Sequence, residues 1–480
     1  MKNWTRREFL KTMGLAAASG GGFSLLVNCS DVNGKVTIKA RIPNILFLFS
    51  DDQRFDTIRA LGNEEIITPN MDELVRGGTT FTNAYIMGSM SGAVCMPSRA
   101  MLLSGKHLFS LTDSGKTIPP EHVMLPEVLR EAGYVTFGTG KWHNEREPFA
   151  RCFTAGGNIF FGGMSDHYRV PVNDFDATGK YPKENRRRQE GKHSSELFSD
   201  AAVEFLRGYK KDKPFFVYVS YTAPHDPRTA PKKYHDMYDP AKIPLPKSFM
   251  PEHPFDNGQM QIRDEKLAAW PRTAEEIRRH IADYYAMITH VDAQIGRVLE
   301  ALKETGQAEN TIIVFSGDNG LAVGRHGLLG KQNLYEHSVH VPLIMCGPGI
   351  AKGEQRDGLC YVHDIYPTLC ELVGARVPAS VESRSLVPLM KRREKVRDTL
   401  FFAYKDIQRG VRDKRYKLIE YSVKGRRHTQ LFDLQTDPWE LSNLPASAKY
   451  AEDLDRLRRE LVRWRDELGD KSPFWEGYQT

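Results

Sequence analysis

Acidic and amide side chains follow two of the apolar runs in this sequence. Asp51 and Asp52 come after the first run, and Asp318 and Asn319 come after another run much later in the chain. Their oxygens are hard ligands, which suit Ca²⁺ or Mg²⁺ and suit Zn²⁺ poorly. A single Asp-Asp pair is common in turns and caps, whereas two such pairs at two strand ends favour a metal site. The pattern predicts a hard divalent cation, Ca²⁺ with Mg²⁺ as the alternative.

A second set of residues combines one cysteine with basic side chains. Cys95 opens the stretch Cys-Met-Pro-Ser-Arg-Ala-Met-Leu-Leu-Ser-Gly, in which Arg99 is the fifth residue. If residues 97–104 form a helix, residue 95 lies at its positively polarised N-terminal end, which favours an anion. Side chains that could clamp an anion or move a proton occur elsewhere in the chain, at Lys141, His143, His225 and Lys331. Each of these residue types is ordinary alone.

The elements that must position these residues alternate between apolar strands and helices. The run 45–49 is continuously apolar, as expected of a central strand that is buried on both faces. Similar runs at 215–219, 311–315 and 341–345 are separated by helical patterns, of which the longest covers 272–304. This alternation predicts an α/β fold with a large mixed, mostly parallel sheet between helices. Ligands of such sheets bind beyond the carboxyl ends of the strands, where the residues above lie.

The pattern changes after about residue 385. Short strand-like pieces without intervening helices run from 399 to 434, and a charged amphipathic helix over 451–468 follows. We predict a catalytic domain over residues 42–385 and a C-terminal subdomain over 386–480, built from a small antiparallel sheet and that helix.

Composition excludes several classes of protein. The chain has 480 residues, of which 40% are hydrophobic and 27% charged, so it is neither disordered nor a small disulfide scaffold. Its formal net charge is +6, and four basic residues and one acidic residue lie in 1–28, which leaves only +3 for the remainder. That charge gives no case for nucleic acid as a partner. The six cysteines show no paired close spacing, so we predict neither a zinc site nor a disulfide framework.

Residues 1–28 are predicted to be a removable export signal. Arg6 and Arg7 precede a mild Gly/Ala-rich apolar stretch, which resembles the twin-arginine signal of bacteria. Cys29, in the linker 29–41, is a candidate for lipid attachment, although Asn28 departs from the small residue usual before such a cysteine. We therefore expect the export machinery as a partner and a location in the periplasm or at the outer cell surface, with the lipid anchor left open.

The stretch at Cys95 resembles the signature of the formylglycine-dependent sulfatases, a family of the alkaline-phosphatase-like superfamily. In that family a maturation enzyme, formylglycine-generating or sulfatase-maturating, oxidises the cysteine to an aldehyde, 3-oxoalanine. Other motifs match in order, namely Asp-Asp at 51–52, Gly-Lys-Trp-His at 140–143, Gly-Asp-Asn-Gly at 317–320 and Gly-Lys at 330–331. The resemblance covers residues 42–375 strongly and the tail loosely, and it implies the alkaline-phosphatase-like fold.

The resemblance also implies a reaction. The sulfur of a sulfate ester resists attack, so the hydrated aldehyde at residue 95 would offer one hydroxyl to attack sulfur and a second to release the product. The metal would lower the pKa of the attacking hydroxyl and polarise the sulfuryl group. Its ligands would be Asp51, Asp52, modified Cys95, Asp318 and Asn319.

The resemblance assigns roles to the basic residues in the same way. Arg99 would hold the hydrated aldehyde, and Lys141 and Lys331 would clamp sulfate oxygens. His225 would protonate the leaving oxygen, and His143 would accept the proton of the second hydroxyl.

A sulfated carbohydrate is the predicted substrate. Pro-His-Asp-Pro-Arg at 224–228 resembles the sugar-acting members of the family, and two long polar irregular segments, 162–193 and 227–271, suit a hydroxyl-rich ligand at the rim of the site. Candidate substrate-binding residues are Trp142, Arg228, Arg325 and His326. The alternatives are a phosphonate monoester or phosphodiester hydrolase of the same superfamily and, if Cys95 stays unmodified, a glycan-binding surface lipoprotein without activity.

Overall fold

The computed structural model describes residues 41–188 and 190–478. The predicted export signal, Cys29 and the linker up to residue 40 lie outside the described residues. The strands of the described part are β1 Asn44–Ser50, β2 Gly78–Phe81, β3 Ala84–Tyr85, β4 Gly88–Ser89, β5 Val135–Lys141, β6 Ala155–Phe160, β7 Pro171–Val172, β8 Arg187–Arg188, β9 Phe215–Ser220, β10 Thr311–Gly317, β11 Leu343–Cys346, β12 Glu354–Arg356, β13 Cys360–Tyr361, β14 Leu400–Tyr404, β15 Gln408–Arg412, β16 Tyr416–Val423 and β17 Arg426–Asp433. The α-helices are α1 Pro69–Gly77, α2 Cys95–Ser104, α3 Leu125–Glu131, α4 Arg146–Cys152, α5 Ser194–Gly208, α6 Lys232–His235, α7 Ala274–Glu304, α8 Glu336–Val339, α9 Ile365–Val373, α10 Val387–Arg392 and α11 Ala451–Leu468.

The main sheet has the strand order β12-β2-β11-β10-β1-β9-β5-β6. Strands β10, β1, β9, β5 and β6 are parallel to one another, whereas β11 is antiparallel to both of its neighbours. This arrangement confirms the predicted α/β class with a large mixed, mostly parallel sheet. Among the described residues, no helix is both long enough and apolar enough to cross a bilayer.

Both faces of the central strand β1 are covered. All seven of its residues are buried. Because side chains alternate along a strand, Leu46 and Leu48 join one apolar core, which includes residues of α5 and α7, while Phe47 and Phe49 join the other, which includes residues of α2, α3 and α9. The carboxyl end of β1 is therefore fixed between two packed layers.

The smaller sheet has the order β17-β16-β15-β14-β4. Its last four strands along the chain form antiparallel pairs, and helix α11 buries Leu457 and Leu461 in the same core, as predicted for this region. Strand β4 comes from the segment before Cys95 and pairs in parallel with β14, with Gly88 opposite Ala403. Gly88 has φ 106°, and any side chain there would collide with the Ala403 carbonyl. The boundary predicted at residues 385 and 386 stays a prediction.

Candidate active site

The carboxyl ends of neighbouring parallel strands bring the predicted site residues together. Asp51 and Asp52 follow β1, Asp318 follows β10, and Lys141 is the last residue of β5. All four side chains are fully buried. The backbone N–H of Asp52 donates to Asp318 Oδ1 at 3.0 Å, which joins the ends of β1 and β10 directly.

Three buried oxygens at this edge have no hydrogen-bond partner within the described part of the chain: Asp51 Oδ1, Asp52 Oδ2 and Asn319 Oδ1. The amide nitrogen of Asn319 donates to Asp52 Oδ1 at 2.7 Å, whereas its amide oxygen has no partner in the described residues. Ligand atoms of Asp51, Cys95 and Asp318 lie within 4.8 Å of one another. An unpartnered buried oxygen is costly, and a carboxylate-rich donor set suits a hard cation. These residues therefore fit the predicted divalent metal.

Two lysines neutralise the acidic pair. Lys141 Nζ contacts Asp51 Oδ2, and Lys331 Nζ lies 2.5 Å from Asp52 Oδ1. Burial and the nearby Asp318 raise the pKa of Asp51 well above its ordinary value. Burial also opposes ionisation of Asp52, but Lys331 and His225 outweigh it and lower the pKa of that carboxyl. A cation at this edge would favour the ionised form of both groups.

Helix α2 begins at Cys95, so residue 95 stands at the positive end of a ten-residue helix. The side chain is buried, with 2% exposure. Its Sγ lies 3.2 Å from His143 Nδ1, 3.6 Å from Lys141 Nζ and 4.0 Å from Lys331 Nζ. Burial raises the pKa of the Cys95 thiol, so the unmodified side chain is not an activated thiolate.

The contacts of Arg99 are with the frame of the site. Its Nε donates to Asp318 Oδ2 at 2.9 Å, and its Nη1 donates to the Lys141 carbonyl at 2.9 Å and to Ser220 Oγ at 2.6 Å. The guanidinium thus joins α2 to the ends of β10, β5 and β9. No hydrogen bond between Arg99 and residue 95 is present in the described chain, so its predicted contact with a modified side chain stays a prediction.

The His143 imidazole is confined between residue 95 and a glycine. His143 has φ 71°, in the left-handed region. A Cβ added to Gly163 would lie 2.9 Å from His143 Cε1 and closer still to Nε2. Burial, then Lys141 and Arg99, lowers the pKa of His143 well below its ordinary value. The neutral imidazole that results is the form that can accept a proton.

The imidazole of His225 lies next to the acidic pair. Its Nδ1 donates to the Asp226 carbonyl at 2.8 Å, and its Nε2 lies 3.8 Å from Asp52 Oδ2. His167 Nε2 donates to the His225 carbonyl at 2.9 Å. Burial, then Lys331, lowers the pKa of His225 to about 4, although Asp52 and Asp226 act in the opposite direction.

Two of the predicted substrate-binding residues have buried, packed rings. The Trp142 ring is buried edge-to-face against Phe149 at 5.1 Å, and its Nε1 donates to the Glu145 carbonyl. The His326 ring is buried and stacked on Tyr335 at 4.1 Å. Both rings belong to packed interior layers, because large aromatic surfaces next to the sheet are stabilised by burial. Their contacts with a substrate stay predictions.

The two predicted arginines have different surroundings. Arg325 contacts Asp56 and lies over the Trp439 ring at 4.8 Å. Arg228 Nη1 lies 2.9 Å from His280 Nδ1, while its Nε and Nη2 are buried and have no hydrogen-bond partner in the described residues. Their roles stay predictions.

The structure adds residues to which the sequence pattern assigned no role. Gly163 confines His143, the Asp226 carboxylate lies 3.3 Å from His225 Nδ1, and Arg263 contacts that carboxylate. Among these three residues, only Asp226 had a signal in the sequence, its position next to His225. Gly163 and Arg263 lie in irregular segments, where no periodic pattern marks a side chain as facing the site.

Family models match most of the chain. The model named Sulfatase matches residues 43–375, and the model described as N-sulphoglucosamine sulphohydrolase, C-terminal, matches residues 324–467. The chain is 26% identical to the N-acetylglucosamine-6-O-sulfatase of Bacteroides thetaiotaomicron, with 93% of this chain and 90% of that protein covered.

Two solved structures of the same fold have a named substrate or activity. One is a protein in complex with its substrate, D-glucosamine-2-N,6-O-disulfate. Its TM-score with this chain is 0.78 at 24% identity, and 90% of this chain and 99% of that chain are covered. Another is the phosphonate monoester hydrolase of Agrobacterium radiobacter (TM-score 0.72, 22% identity, 89% and 96% covered). At these identities, the likeness concerns the fold alone.

Proposed function

Since this chain belongs to the sulfatase family, we propose that it hydrolyses sulfate esters of a carbohydrate. Family membership confirms the resemblance inferred from the stretch at Cys95, and with it a sulfuric ester hydrolase. A carbohydrate substrate is supported by the relative named N-acetylglucosamine-6-O-sulfatase and by the solved structure of the same fold in complex with a disulfated glucosamine. Glucosamine that carries 6-O- or N-sulfate is therefore the first substrate to test.

One observation carries the proposal: the unpartnered oxygens of Asp51, Asp52 and Asn319 lie at the strand edge beside residue 95. These side chains, with Asp318 and residue 95, would hold Ca²⁺, or Mg²⁺ as the alternative. A maturation enzyme would have converted Cys95 to the aldehyde. The cation would polarise the sulfuryl group, and the hydrated aldehyde would provide the attacking hydroxyl.

The chain's own residues supply charge and proton transfer. Lys141 and Lys331 flank residue 95 at 3.6 and 4.0 Å and can bind sulfate oxygens. His143, neutral and 3.2 Å from the same atom, can accept a proton from the group at residue 95.

His225 would donate a proton to the leaving oxygen. With Nδ1 engaged by a backbone carbonyl, Nε2 is the nitrogen on the side of the acidic pair. Burial and nearby lysine charges lower the pKa of His225 to about 4, which leaves the free site with a neutral ring at pH 7. A bound sulfate ester adds negative charge beside the ring and favours its protonated form.

We also propose that the protein is exported. The support is the sequence pattern alone, in which Arg6 and Arg7 precede a weakly apolar stretch. The exported enzyme would act in the periplasm or at the outer cell surface. Attachment of a lipid to Cys29 is a further proposal.

Sulfate release from a panel of sulfated mono- and oligosaccharides tests the proposal. The protein is co-expressed with a maturation enzyme, and sulfate is measured by ion chromatography. We expect release from at least one sulfated amino sugar by the wild type and none by Cys95→Ala. Equal release by both proteins, or none from any sugar by the aldehyde-bearing wild type, would contradict the proposal.

A phosphonate monoester hydrolase is the second candidate, favoured by the likeness to the Agrobacterium enzyme. Turnover of matched phenyl sulfate and phenyl phosphonate monoesters separates the two functions. Higher kcat/KM for the phosphonate would replace the sulfatase assignment of the physiological substrate.

A further inference from the structure

Arg263 stands at the rim of the site, in the largely irregular segment between α6 and α7. Its side chain is 45% exposed, yet the two carboxylates that it contacts are both only 9% exposed. Nη1 and Nη2 donate to the two oxygens of Asp226 at 2.7 and 3.0 Å, while Nε and Nη2 donate to Asp264 Oδ1 at 2.9 and 2.6 Å. One guanidinium therefore joins two largely buried carboxylates.

Each carboxylate is connected to a different functional residue. The Asp226 carbonyl accepts from His225 Nδ1 at 2.8 Å, and Asp226 Oδ1 lies 3.3 Å from the same nitrogen. The position of Asp226 thus sets the orientation of the His225 ring.

On the other side, Asp264 Oδ2 accepts from Gln332 Nε2 at 2.8 Å, and Gln332 Oε1 accepts from the backbone N–H of Lys331 at 2.9 Å. Asp264 is therefore connected through Gln332 to the backbone of Lys331, the lysine whose ammonium lies beside residue 95.

We infer that Arg263 is a positioning residue for the proposed reaction. The bridge Asp226–Arg263–Asp264 fixes the separation between the proton donor His225 and the anion clamp Lys331. A planar guanidinium with several fixed N–H groups can hold two carboxylates in one geometry, which the single ammonium of lysine cannot reproduce. This inference rests on the proposed function.

The geometry also argues against the simpler assignment of Arg263 as a sulfate ligand. Its Nε, Nη1 and Nη2 all donate to carboxylates, and Nη1 also contacts Met164 Sδ. A substrate anion would have to displace a carboxylate to bind it. Removal of Arg263 should therefore alter kcat more than KM.

The kinetic test compares Arg263→Ala and Arg263→Lys with a matched control. Arg415 is 48% exposed and contacts the 3% exposed Asp433 through two of its nitrogens, in the C-terminal sheet. Arg415→Ala thus removes, away from the site, an ion pair between a similarly exposed arginine and one buried carboxylate. The substrates are a sulfated sugar that the wild type turns over and 4-nitrophenyl sulfate, whose leaving group hardly needs a proton.

We expect Arg263→Ala to lower kcat on both substrates, because Lys331 serves both, and to lower it roughly 10-fold more on the sugar, because misplaced His225 no longer protonates the poor leaving group. Arg263→Lys should recover only part of the loss, and Arg415→Ala should leave both kcat values within about 3-fold of wild type. A rise in KM at unchanged kcat, or equal losses on the two substrates, would overturn the inference.

Hydrogen–deuterium exchange tests the bridge independently of activity. Arg263→Ala should increase deuterium uptake in segments 222–230 and 328–334 together, and Arg415→Ala should increase it in neither. Unchanged uptake in either segment would refute the bridge. If the wild type releases no sulfate, the proposed function fails while the exchange result still decides whether Arg263 holds the two segments. Should Arg263→Ala fail to fold, Arg263→Lys and Asp264→Asn provide the same comparison.

Discussion

Gly163→Ala should slow turnover by displacing the imidazole of His143. The new Cβ would lie 2.9 Å from His143 Cε1 and closer still to Nε2, whereas optimal carbon contacts begin at about 3.5 Å. The ring must therefore shift by about 0.5–1 Å, so its 3.2 Å contact with residue 95 cannot be kept. A misplacement of about 1 Å can cost about 100-fold in rate, equivalent to about 2.7 kcal/mol. We expect kcat to fall by about 10–100-fold.

Pre-steady-state kinetics with 4-nitrophenyl sulfate provide the assay. Because His143 is proposed to act after the alcohol has left, the variant should release one equivalent of nitrophenolate rapidly and then turn over slowly. The control is Gly157→Ala, whose Cβ would make an ordinary 3.7 Å contact with Ala201. An unchanged kcat in Gly163→Ala would refute the steric argument. A loss in both variants with a shared fall in melting temperature would assign the effect to folding.

Four further predictions concern the site and export. The tryptic peptide that contains Cys95 should be lighter than its cysteine form by about 18 Da, and Cys95→Ala should abolish turnover; full activity of that variant would exclude the mechanism. Chelation should remove activity and Ca²⁺ or Mg²⁺ should restore it, so recovery with Zn²⁺ alone would contradict the metal assignment. His225→Ala should lose far more activity on a sulfated sugar than on an aryl sulfate, while Lys331→Ala should lose activity on both; equal losses for His225→Ala would point to another acid. Replacement of Arg6 and Arg7 by lysine should retain an aldehyde-bearing, active precursor inside the cell, and normal export would disprove the twin-arginine signal.

The acidic edge could be predicted because it depends on local sequence and on one rule of sheet geometry. Asp51 and Asp318 each follow an apolar strand, and parallel strands end at the same edge. Apolar continuity also identified β1 as central. The antiparallel direction of β11 could not be predicted from the sequence, since an apolar run has the same pattern in a parallel and in an antiparallel strand.

Contacts between distant segments could not be predicted. Arg263 reaches Asp226 through an irregular segment, and Gly163 approaches His143 through another, so no period reveals either contact. For Trp142, the sequence could not show how the ring packs. Its place in the motif suggested a substrate contact, but its neighbours along the chain face the site while its own ring packs into the apolar layer.

The parallel pairing of β4 with β14 also sets an order of events during synthesis. The segment that leads into Cys95 cannot complete its native hydrogen bonds until Leu400–Tyr404 have left the ribosome. About 300 residues separate the two, which corresponds to about 15–60 s at 5–20 residues per second. In the folded protein only 2% of the Cys95 side chain is exposed. An enzyme that modifies Cys95 would thus have this interval of unfinished folding in which to reach it.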